Sequence, residues 1–145
     1  MKILITNDDG IYAEGLLSLV NAFIKDNDVI VAAPDSERSG SGHSTSLKTP
    51  FKYKKVDLVQ GAMCYSVSGT PADCVKFGIS HIANNDIDLV ISGINHGRNL
   101  GTDVLYSGTV GAALEAIIGG FSAIALSYGG RGGWHFDYAS QFAAK

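Results

Sequence analysis

Two adjacent carboxylates, Asp8 and Asp9, follow a short apolar stretch at the start of the chain. They lie in Asn7-Asp8-Asp9-Gly10, directly after residues 2–6, whose side chains favour a β-strand. Neighbouring negative charges repel each other and resist burial. A hard divalent cation such as Mg²⁺ or Mn²⁺, which prefers oxygen ligands, relieves that repulsion. The motif therefore predicts a metal site, and its alternative is a solvated turn in which Asp9 caps the next helix.

Further oxygen-bearing side chains lie in two later segments, residues 34–46 and 93–107, which show no periodic pattern and are interpreted as loops. The candidates in these loops are Ser36, Ser39, Ser41, Gly40, Gly42, Asn95, His96, Arg98 and Asn99. A shell built from the two aspartates, a loop serine and Asn95 would be all oxygen and low in charge. Such a shell leaves places for water and phosphate.

A second signal is the run Ser107-Gly108-Thr109, which opens a predicted helix over residues 109–118. Small residues at a helix start leave backbone N–H groups accessible at the positive end of the helix dipole. That arrangement suits an anion such as phosphate. The alternative is ordinary capping of the helix by Ser107. Proximity to a metal loop on the same sheet edge favours the anion site.

Strands and helices alternate along the chain, which predicts an α/β fold with a doubly wound, mostly parallel sheet. The predicted strands are residues 2–6, 28–33, 88–92 and 122–127, and a β-hairpin within 47–67 turns near residues 60–61. Four helices are predicted. The first follows the first strand and has an apolar face made of Leu16, Leu17, Val20, Phe23 and Ile24. The others run from Thr70-Pro71 to about residue 83, over residues 109–118, and from Asp137 onward.

The predicted helix over 109–118 and the strand over 122–127 are rich in apolar residues, so both are expected to be buried in part or in full. The helix over 109–118 is expected to bury Ala113, Leu114, Ile117 and Ile118, and the strand over 122–127 to be buried. Loops that follow parallel strands emerge on one side of the sheet. The loops at residues 7–10, 35–46, 93–107 and 128–133 are therefore expected to meet at one edge.

Composition narrows the function classes. The chain has 145 residues, the size of one domain, and its 11 basic and 14 acidic residues give a net charge of −3. No global field attracts nucleic acid or membrane, and no apolar run is long enough to cross a bilayer. There is no signal-peptide pattern, and Cys64 and Cys74 form no CxxC motif. A cytoplasmic protein with reduced thiols is expected.

Four blocks of the sequence, in the same order, resemble the SurE family of survival-protein 5′(3′)-nucleotidases. They are residues 7–10, residues 34–42 with Ser39, residues 92–97 and residues 106–113. The likeness runs over essentially the whole chain. It implies a Rossmann-like, three-layer fold and a divalent-metal-dependent phosphomonoesterase acting on nucleoside monophosphates, 5′ and in some cases 3′. It further implies that some members trim polyphosphate or short RNA ends.

The resemblance also assigns roles to residues. It implies that Asp8, Asp9, Ser39 and Asn95 bind one divalent ion, Mg²⁺ or Mn²⁺. The phosphate-contacting groups it implies are Asn95 and the Ser107, Gly108, Thr109 turn. We add Gly40, His43 and His96 as weaker candidates for contact with the substrate; for the two histidines the alternative is a surface or packing role. Tyr106 could stack on a base, or be a packed loop aromatic.

The residue types also suggest a mechanism. Asp8 or Asp9 would accept the proton of an attacking water, because one carboxylate oxygen can bind metal while the other accepts a proton. The alternative, a covalent aspartyl-phosphate, needs an aspartate that is free to attack. Both aspartates are predicted metal ligands, so direct water attack is the favoured route.

The end of the chain carries a separate expectation. The helix from Asp137 places Tyr138, Phe142 and Ala143 on one face and reaches Lys145 without a Gly or Asn stop signal. The resemblance implies that family members continue with an arm exchanged between subunits. We therefore expect residues 1–145 to be a single SurE-like domain of a longer protein, truncated at its C-terminus. The whole protein is expected to be a homodimer or homotetramer.

Two other function classes place acids or glycines after a first strand. A receiver module needs an acceptor aspartate at the end of a central strand and a lysine after the last one; Asp35 lies beyond Pro34, and residues 126–128 contain no lysine. A dinucleotide-binding module needs Gly-x-Gly-x-x-Gly, whereas residues 7–10 place negative charge there. A metal-dependent phosphatase assay separates the enzyme from both modules.

Overall fold

A six-stranded sheet forms the centre of the computed structural model, which describes residues 1–130, 133 and 135–145. The spatial order of the strands is β3-β4-β2-β1-β5-β6. In chain order they are β1 (Lys2–Thr6), β2 (Asp28–Pro34), β3 (Tyr53–Val56), β4 (Met63–Val67), β5 (Leu89–His96) and β6 (Ala123–Tyr128). The predicted loop at 128–133 lies partly outside the described residues.

Strand β1 is the centre of the sheet because its apolar run can be buried on both faces. It pairs in parallel with β2 and with β5, and Leu4 lies opposite Ile30 on one side and Val90 on the other. Strand β4 is parallel to β2, while β3 and β4 form the predicted antiparallel hairpin. The prediction of a mostly parallel sheet with a hairpin insertion is confirmed.

Helices cover both faces of the sheet and give three layers. They are α1 (Glu14–Phe23), α2 (Pro71–Phe77), α3 (Gly108–Ile118) and α4 (Phe136–Ala143), with a π-helical turn at Gly78–Ile82 and a 3₁₀ turn at Gly101–Leu105. Helices α1 and α4 share one apolar cluster with Ile3 and Ile5, and α2 and α3 share the other with Leu4. None of the helices in the described part of the chain is long and apolar enough to cross a membrane.

Helix α3 buries a different face from the predicted one. Leu114, Ile117 and Ile118 are 47–73% exposed, and of the predicted set Ala113 is buried. The buried face is made of small residues, including Gly111 and Ala112. A Cβ added at Gly111 would overlap the backbone of Gly42, so small side chains let α3 approach the loop and the sheet closely. Helix α3 therefore buries the face that allows the closest packing and not the face with the largest apolar side chains.

Strand β6 lies at an edge of the sheet, which corrects the prediction that it is buried. It pairs with β5 and has no other strand neighbour among the described residues. Three of its six residues are exposed, including Ile124 at 42%. Its apolar sequence is that of an interior strand, but its position leaves one edge unpaired.

The carboxyl ends of the parallel strands bring the chemically interesting segments together. The turn at residues 7–10 follows β1, the loop at 35–46 follows β2, and β5 ends at His96. Strand β5 runs four residues further than predicted, so Asn95 and His96 belong to a strand end and not to a loop. Regular backbone pairing thus positions Asn95 opposite Ser127 of β6.

Candidate functional site

The turn after β1 is closed by the side chain of Asn7, which is fully buried. Asn7 Nδ2 donates to the carbonyl oxygen of Gly10 at 2.9 Å, and the Gly10 N–H donates to Asn7 Oδ1 at 3.2 Å. Gly10 has φ +104°, a conformation that a side chain would strain. These two residues fix a tight turn, so Asp8 and Asp9 leave the end of the strand in set directions.

Asp8 is 4% exposed and lies against the first turn of α3. Its Oδ1 accepts from Thr109 Oγ1 at 2.6 Å, and its Oδ2 accepts from the Thr109 N–H at 3.1 Å. A negative charge at this end of a helix is stabilised by the accessible N–H groups and the dipole. The first turn of α3 therefore binds a carboxylate of the chain itself.

Asp9 is held from the other side by β5. Its Oδ2 accepts a hydrogen bond from the backbone N–H of His96 at 3.0 Å. Burial raises the pKa of Asp9 above its usual range, and the charge of Asp8 raises it further, although the His96 N–H opposes them. Its other oxygen, Oδ1, accepts no hydrogen bond from the residues described. A cation beside both aspartates would relieve this electrostatic cost.

The loop after β2 is tied to the same turn. The Arg38 N–H donates to the backbone oxygen of Asp8 at 2.7 Å. Next to it, Ser39 Oγ donates to Glu37 Oε1 at 2.6 Å, which leaves the hydroxyl lone pairs available as acceptors or ligands. Ser41 Oγ is buried with no hydrogen-bond partner among the described residues. A Cβ added at Gly108 would lie 2.6 Å from Ser41 Oγ and 2.8 Å from Asp8 Cβ, so only glycine fits there.

The side-chain amide of Asn95 is oriented by a hydrogen bond to the backbone. Its Nδ2 donates to the carbonyl oxygen of Gly97 at 3.1 Å. With the nitrogen used for this contact, the oxygen Oδ1 remains as an acceptor or metal ligand. Strand pairing and this hydrogen bond together position the fourth predicted ligand.

One cavity of about 670 Å³ contains the residues predicted to bind metal, a volume typical of small-molecule sites. It is lined by Asp8, Asp9, Ala13, Glu14, Gly15, Glu37, Ser39, Gly40, Asn95, His96, Asn99, Asp103, Tyr106, Ser107 and Phe136. Five carboxylates and no Lys or Arg are among these lining residues. In the described part of the chain, no three His, Cys, Asp or Glu side chains are placed to hold a metal together. A cation here would need neutral oxygens beside the two aspartates, which Ser39 and Asn95 offer.

Three of the predicted substrate contacts do not line this cavity. Thr109 is behind Asp8 and uses both its donors on that carboxylate. Gly108 lies between Asp8 and Ser41 and is absent from the lining. His43 Nε2 contacts Glu115 at 2.6 Å instead. Ser107 lines the cavity and also caps α3, since its Oγ accepts from the Val110 N–H at 3.1 Å.

Sequence reasoning missed three acids that line the cavity: Glu14, Glu37 and Asp103. Charged residues in loops and first helical turns are common on surfaces, so their types alone gave no signal. The position of Glu37, two residues before Ser39 in the same loop, was the one available hint. Together with the aspartates, these acids make the cavity strongly electronegative. It can therefore attract a cation, but it repels a phosphate dianion unless a cation is present.

Comparison with known proteins places this geometry in context. The family model described as "Survival protein SurE" matches residues 3–145. The 5′-nucleotidase SurE of Pseudothermotoga lettingae is 49% identical over 140 residues, covering 97% of this chain and 53% of that protein. The 5′-nucleotidase SurE of Clostridium kluyveri is 51% identical over 147 residues, covering 99% and 60% respectively. This chain thus spans little more than half the length of these curated relatives.

A solved structure shares the fold. The crystal structure of the SurE protein from Aquifex aeolicus superposes with a TM-score of 0.90 at 40% sequence identity, covering 99% of this chain and 57% of that one. The two proteins therefore share the fold over nearly all of this chain.

Proposed function

This chain belongs to the survival protein SurE family, and from that premise we propose that it releases phosphate from nucleoside 5′-monophosphates with the help of a divalent cation. The names of its relatives support the substrate class. The observation that carries the proposal is the convergence of Asp8, Asp9, Ser39 and Asn95 on one cavity. We propose the activity for residues 1–145 acting as one domain.

The proposed ligands suit a hard cation. Two carboxylates, an amide oxygen and a hydroxyl form an oxygen set with a charge of −2, typical of Mg²⁺ or Mn²⁺ sites that keep open positions. The raised pKa of Asp9 supports this choice, because burial and, to a smaller extent, the charge of Asp8 oppose its ionisation, which a bound cation would favour. We propose one ion for each chain. When bound, such an ion neutralises phosphate charge and lowers the pKa of water.

The residues of the chain divide the remaining work. Asp8 is buried with both oxygens hydrogen-bonded to Thr109, so it is proposed as a fixed ligand and not as a nucleophile. Asp9 keeps Oδ1 without a hydrogen bond from described residues, so it is proposed as the acceptor of the proton from the attacking water. Asn95, His96, Gly40 and Ser107 line the cavity beside them and are proposed to contact the phosphate.

Direct attack by water therefore remains the favoured route. A covalent aspartyl-phosphate would require a carboxylate oxygen that can approach phosphorus in line. Asp8 would lose its hydrogen bonds to α3 in such an attack. Asp9 is held by the His96 N–H at Oδ2, and its Oδ1 is the proposed acceptor of the proton from water. This hydrogen-bonding pattern supports metal-assisted hydrolysis in one step.

Three finer proposals accompany this activity. We propose that 3′-monophosphates, polyphosphate and short RNA ends are secondary substrates, as the family resemblance implies. We propose a cytoplasmic location, which the free, buried Cys64 and Cys74 support. We propose that the longer protein assembles as a homodimer or homotetramer. The exposed Tyr138 and Phe142 of α4, at 75% and 72%, support this assembly.

The test is release of inorganic phosphate from a panel of nucleoside monophosphates. We expect hydrolysis with Mg²⁺ or Mn²⁺, loss of activity after EDTA treatment, and recovery when the cation is returned. Activity that survives complete chelation would overturn the mechanism. Absence of hydrolysis with every cation and nucleotide would overturn the proposed function.

A further inference from the structure

Tyr106 presents an exposed aromatic ring to the cavity that holds the proposed phosphate site. It follows the 3₁₀ turn Gly101–Leu105 and precedes Ser107, the residue that caps α3. Its side chain is 68% exposed and lines the cavity together with Asp9 and Asn95. An exposed aromatic ring beside a phosphate site is in reach of whatever group the phosphate carries.

The backbone under this ring is held on both sides. The Tyr106 N–H donates to the carbonyl oxygen of Asp103 at 3.0 Å, and the Gly42 N–H donates to the carbonyl oxygen of Tyr106 at 2.9 Å. Gly42 has φ +55°, and a Cβ there would lie 3.4 Å from the carbonyl oxygen of Leu105. The loop after β2 and the 3₁₀ turn therefore fix Tyr106 in place. A ring on a fixed backbone loses little entropy when a ligand binds to it.

The Tyr106 ring is not held by polar or aromatic contacts within the described part of the chain. Neither a hydrogen bond of its hydroxyl nor a contact with another described ring is present. The other aromatic side chain lining the cavity, Phe136, is buried and packs against Tyr128 and His96. Of these two rings, Tyr106 is the one with an accessible face.

The charges of the cavity favour a neutral leaving group. Its described lining residues include Asp103 and Glu14 but no Lys or Arg, so a second phosphate group would find no cationic side chain there. A nucleobase is neutral, and it binds through stacking and hydrogen bonds, which this part of the cavity offers. The cavity volume of about 670 Å³ also leaves room beyond a phosphate group.

We propose that Tyr106 stacks on the nucleobase and determines preference for nucleotides over simple phosphate esters. This inference rests on the proposed function, whose phosphate end it extends. Stacking is tolerant of base identity because every base has a π face, so broad use of nucleoside monophosphates follows. The effect is expected in substrate binding, since Tyr106 would contact the base and is neither a proposed metal ligand nor the proposed proton acceptor.

The experiment compares AMP with ribose 5-phosphate, which has the same phosphate and sugar but no base. For Tyr106→Ala we expect a KM for AMP raised about 5- to 100-fold, from the usual strength of base–aromatic stacking. We expect kcat for AMP and kcat/KM for ribose 5-phosphate to stay within about twofold. Tyr106→Phe, which keeps the ring, is expected to behave as the wild type. The matched control is Tyr138→Ala, a 75% exposed tyrosine outside the cavity.

Two outcomes would overturn the proposal: equal losses on both substrates in Tyr106→Ala, or an unchanged KM for AMP. Binding of adenosine, measured by saturation-transfer NMR, separates this inference from the proposed function because it needs no hydrolysis. We expect the wild-type protein to bind adenosine and Tyr106→Ala to lose that signal. If hydrolysis fails but this difference remains, the stacking site stands and the proposed function falls. If both proteins give the same adenosine signal, or neither gives one, the stacking site is wrong.

Discussion

Helices α2 and α3 lie side by side on one face of the sheet and begin with the same device, but they use it for different ends. Each starts with a hydroxyl side chain that accepts from the third residue of the helix: Thr70 from the Asp73 N–H, and Ser107 from the Val110 N–H. In α2 that third residue is an acid, and Asp73 Oδ2 accepts from the Thr70 N–H at 2.9 Å in return. Helix α2 thus completes its own capping box.

Helix α3 has Val110 at the corresponding position and cannot do this. Its carboxylate is supplied by Asp8, 101 residues away in the chain, which accepts hydrogen bonds from both the N–H and the hydroxyl of Thr109. The capping of α2 serves local stability, whereas the first turn of α3 holds a side chain of the candidate site. A helix start that lacks its own acid can position one that is needed for chemistry.

The largest expected effect on activity comes from removing the charge of Asp8. Asp8→Asn should lower phosphate release from AMP by about 10²–10³-fold, because a proposed metal ligand loses its charge. The side-chain amide can accept only one of the two Thr109 donors. Thermal melting should show a folded protein, and Asp26→Asn, an exposed acid outside the cavity, should match the wild type. Full activity in Asp8→Asn would show that the proposed metal site is wrongly assigned.

A smaller effect is expected when the hydroxyl that orients Asp8 is removed. Thr109→Val keeps the size and the backbone N–H but deletes the 2.6 Å hydrogen bond. Hydrogen bonds to charged groups are worth about 1.5–3 kcal/mol. We expect kcat/KM to fall about tenfold or more, and the Mn²⁺ affinity measured by electron paramagnetic resonance to weaken.

Thr109→Ser, which retains the hydroxyl, provides the matched control and should stay near wild type. Thr70→Val makes the equivalent change in α2 and should reduce stability by about 0.5–2 kcal/mol without affecting Mn²⁺ affinity. If Thr109→Val and Thr70→Val have the same effects on metal and on stability, the two helix starts do not differ in role.

The two helix starts also show what a sequence can reveal. Thr70 and Pro71 predicted the start of α2 because the signals of a capping box are neighbours in the chain. The contact between Asp8 and Thr109 joins distant segments, so their types predicted a metal loop and a phosphate-binding turn at one sheet edge but not a hydrogen bond between them. In the structure Thr109 donates a hydrogen bond to Asp8, and Ser107 lines the cavity.

Packing explains why the burial of α3 and β6 differs from the sequence-based predictions. The pattern of large apolar residues predicted that Leu114, Ile117 and Ile118 are buried, but α3 packs through its glycine and alanines. Periodicity reports which face is apolar and not how closely a helix approaches its neighbours. The central strands were readable because continuous apolar runs are typical of parallel strands. The same kind of run in β6 led to the wrong prediction of a buried strand, because an edge position depends on which strands pair beside it.

Acid should weaken the capping box at the start of α2. Burial opposes ionisation of Asp73, but hydrogen bonds from Ser46 and Thr70 outweigh it and lower the pKa below its usual range. A carboxyl with a lowered pKa stabilises the fold above its unfolded pKa of about 3.9, and this stabilisation is lost as the pH falls through the folded pKa. Asp73→Asn should therefore cost about 0.5–2 kcal/mol at neutral pH.

Urea denaturation of both proteins checks this prediction. The difference in unfolding free energy should be constant from about pH 7 to 5 and shrink below about pH 4. The kcat of Asp73→Asn for AMP should match that of the wild type. A stability difference that grows in acid would contradict the lowered pKa, and a large loss of kcat would contradict a purely structural role.

The smallest effect is expected between the two helices. His43 Nε2 lies 2.6 Å from Glu115 of α3, and Lys76 of α2 lies 3.2 Å from the same carboxylate. Partly exposed ion pairs are worth about 0.2–1 kcal/mol. His43→Ala should reduce stability by no more than that and leave kcat/KM for AMP within about twofold. A tenfold loss of activity would restore His43 as a substrate contact.

The most direct test of the central claim is a crystal structure of the chain grown with Mn²⁺, with anomalous scattering used to locate the ion. We predict one peak, with oxygens of Asp8, Asp9, Ser39 and Asn95 about 2.0–2.6 Å away and Thr109 still bound to Asp8. A peak held by other residues, or an Mn²⁺-soaked cavity with no peak beside Asp8 and Asp9, would contradict the claim that α3 positions a metal ligand.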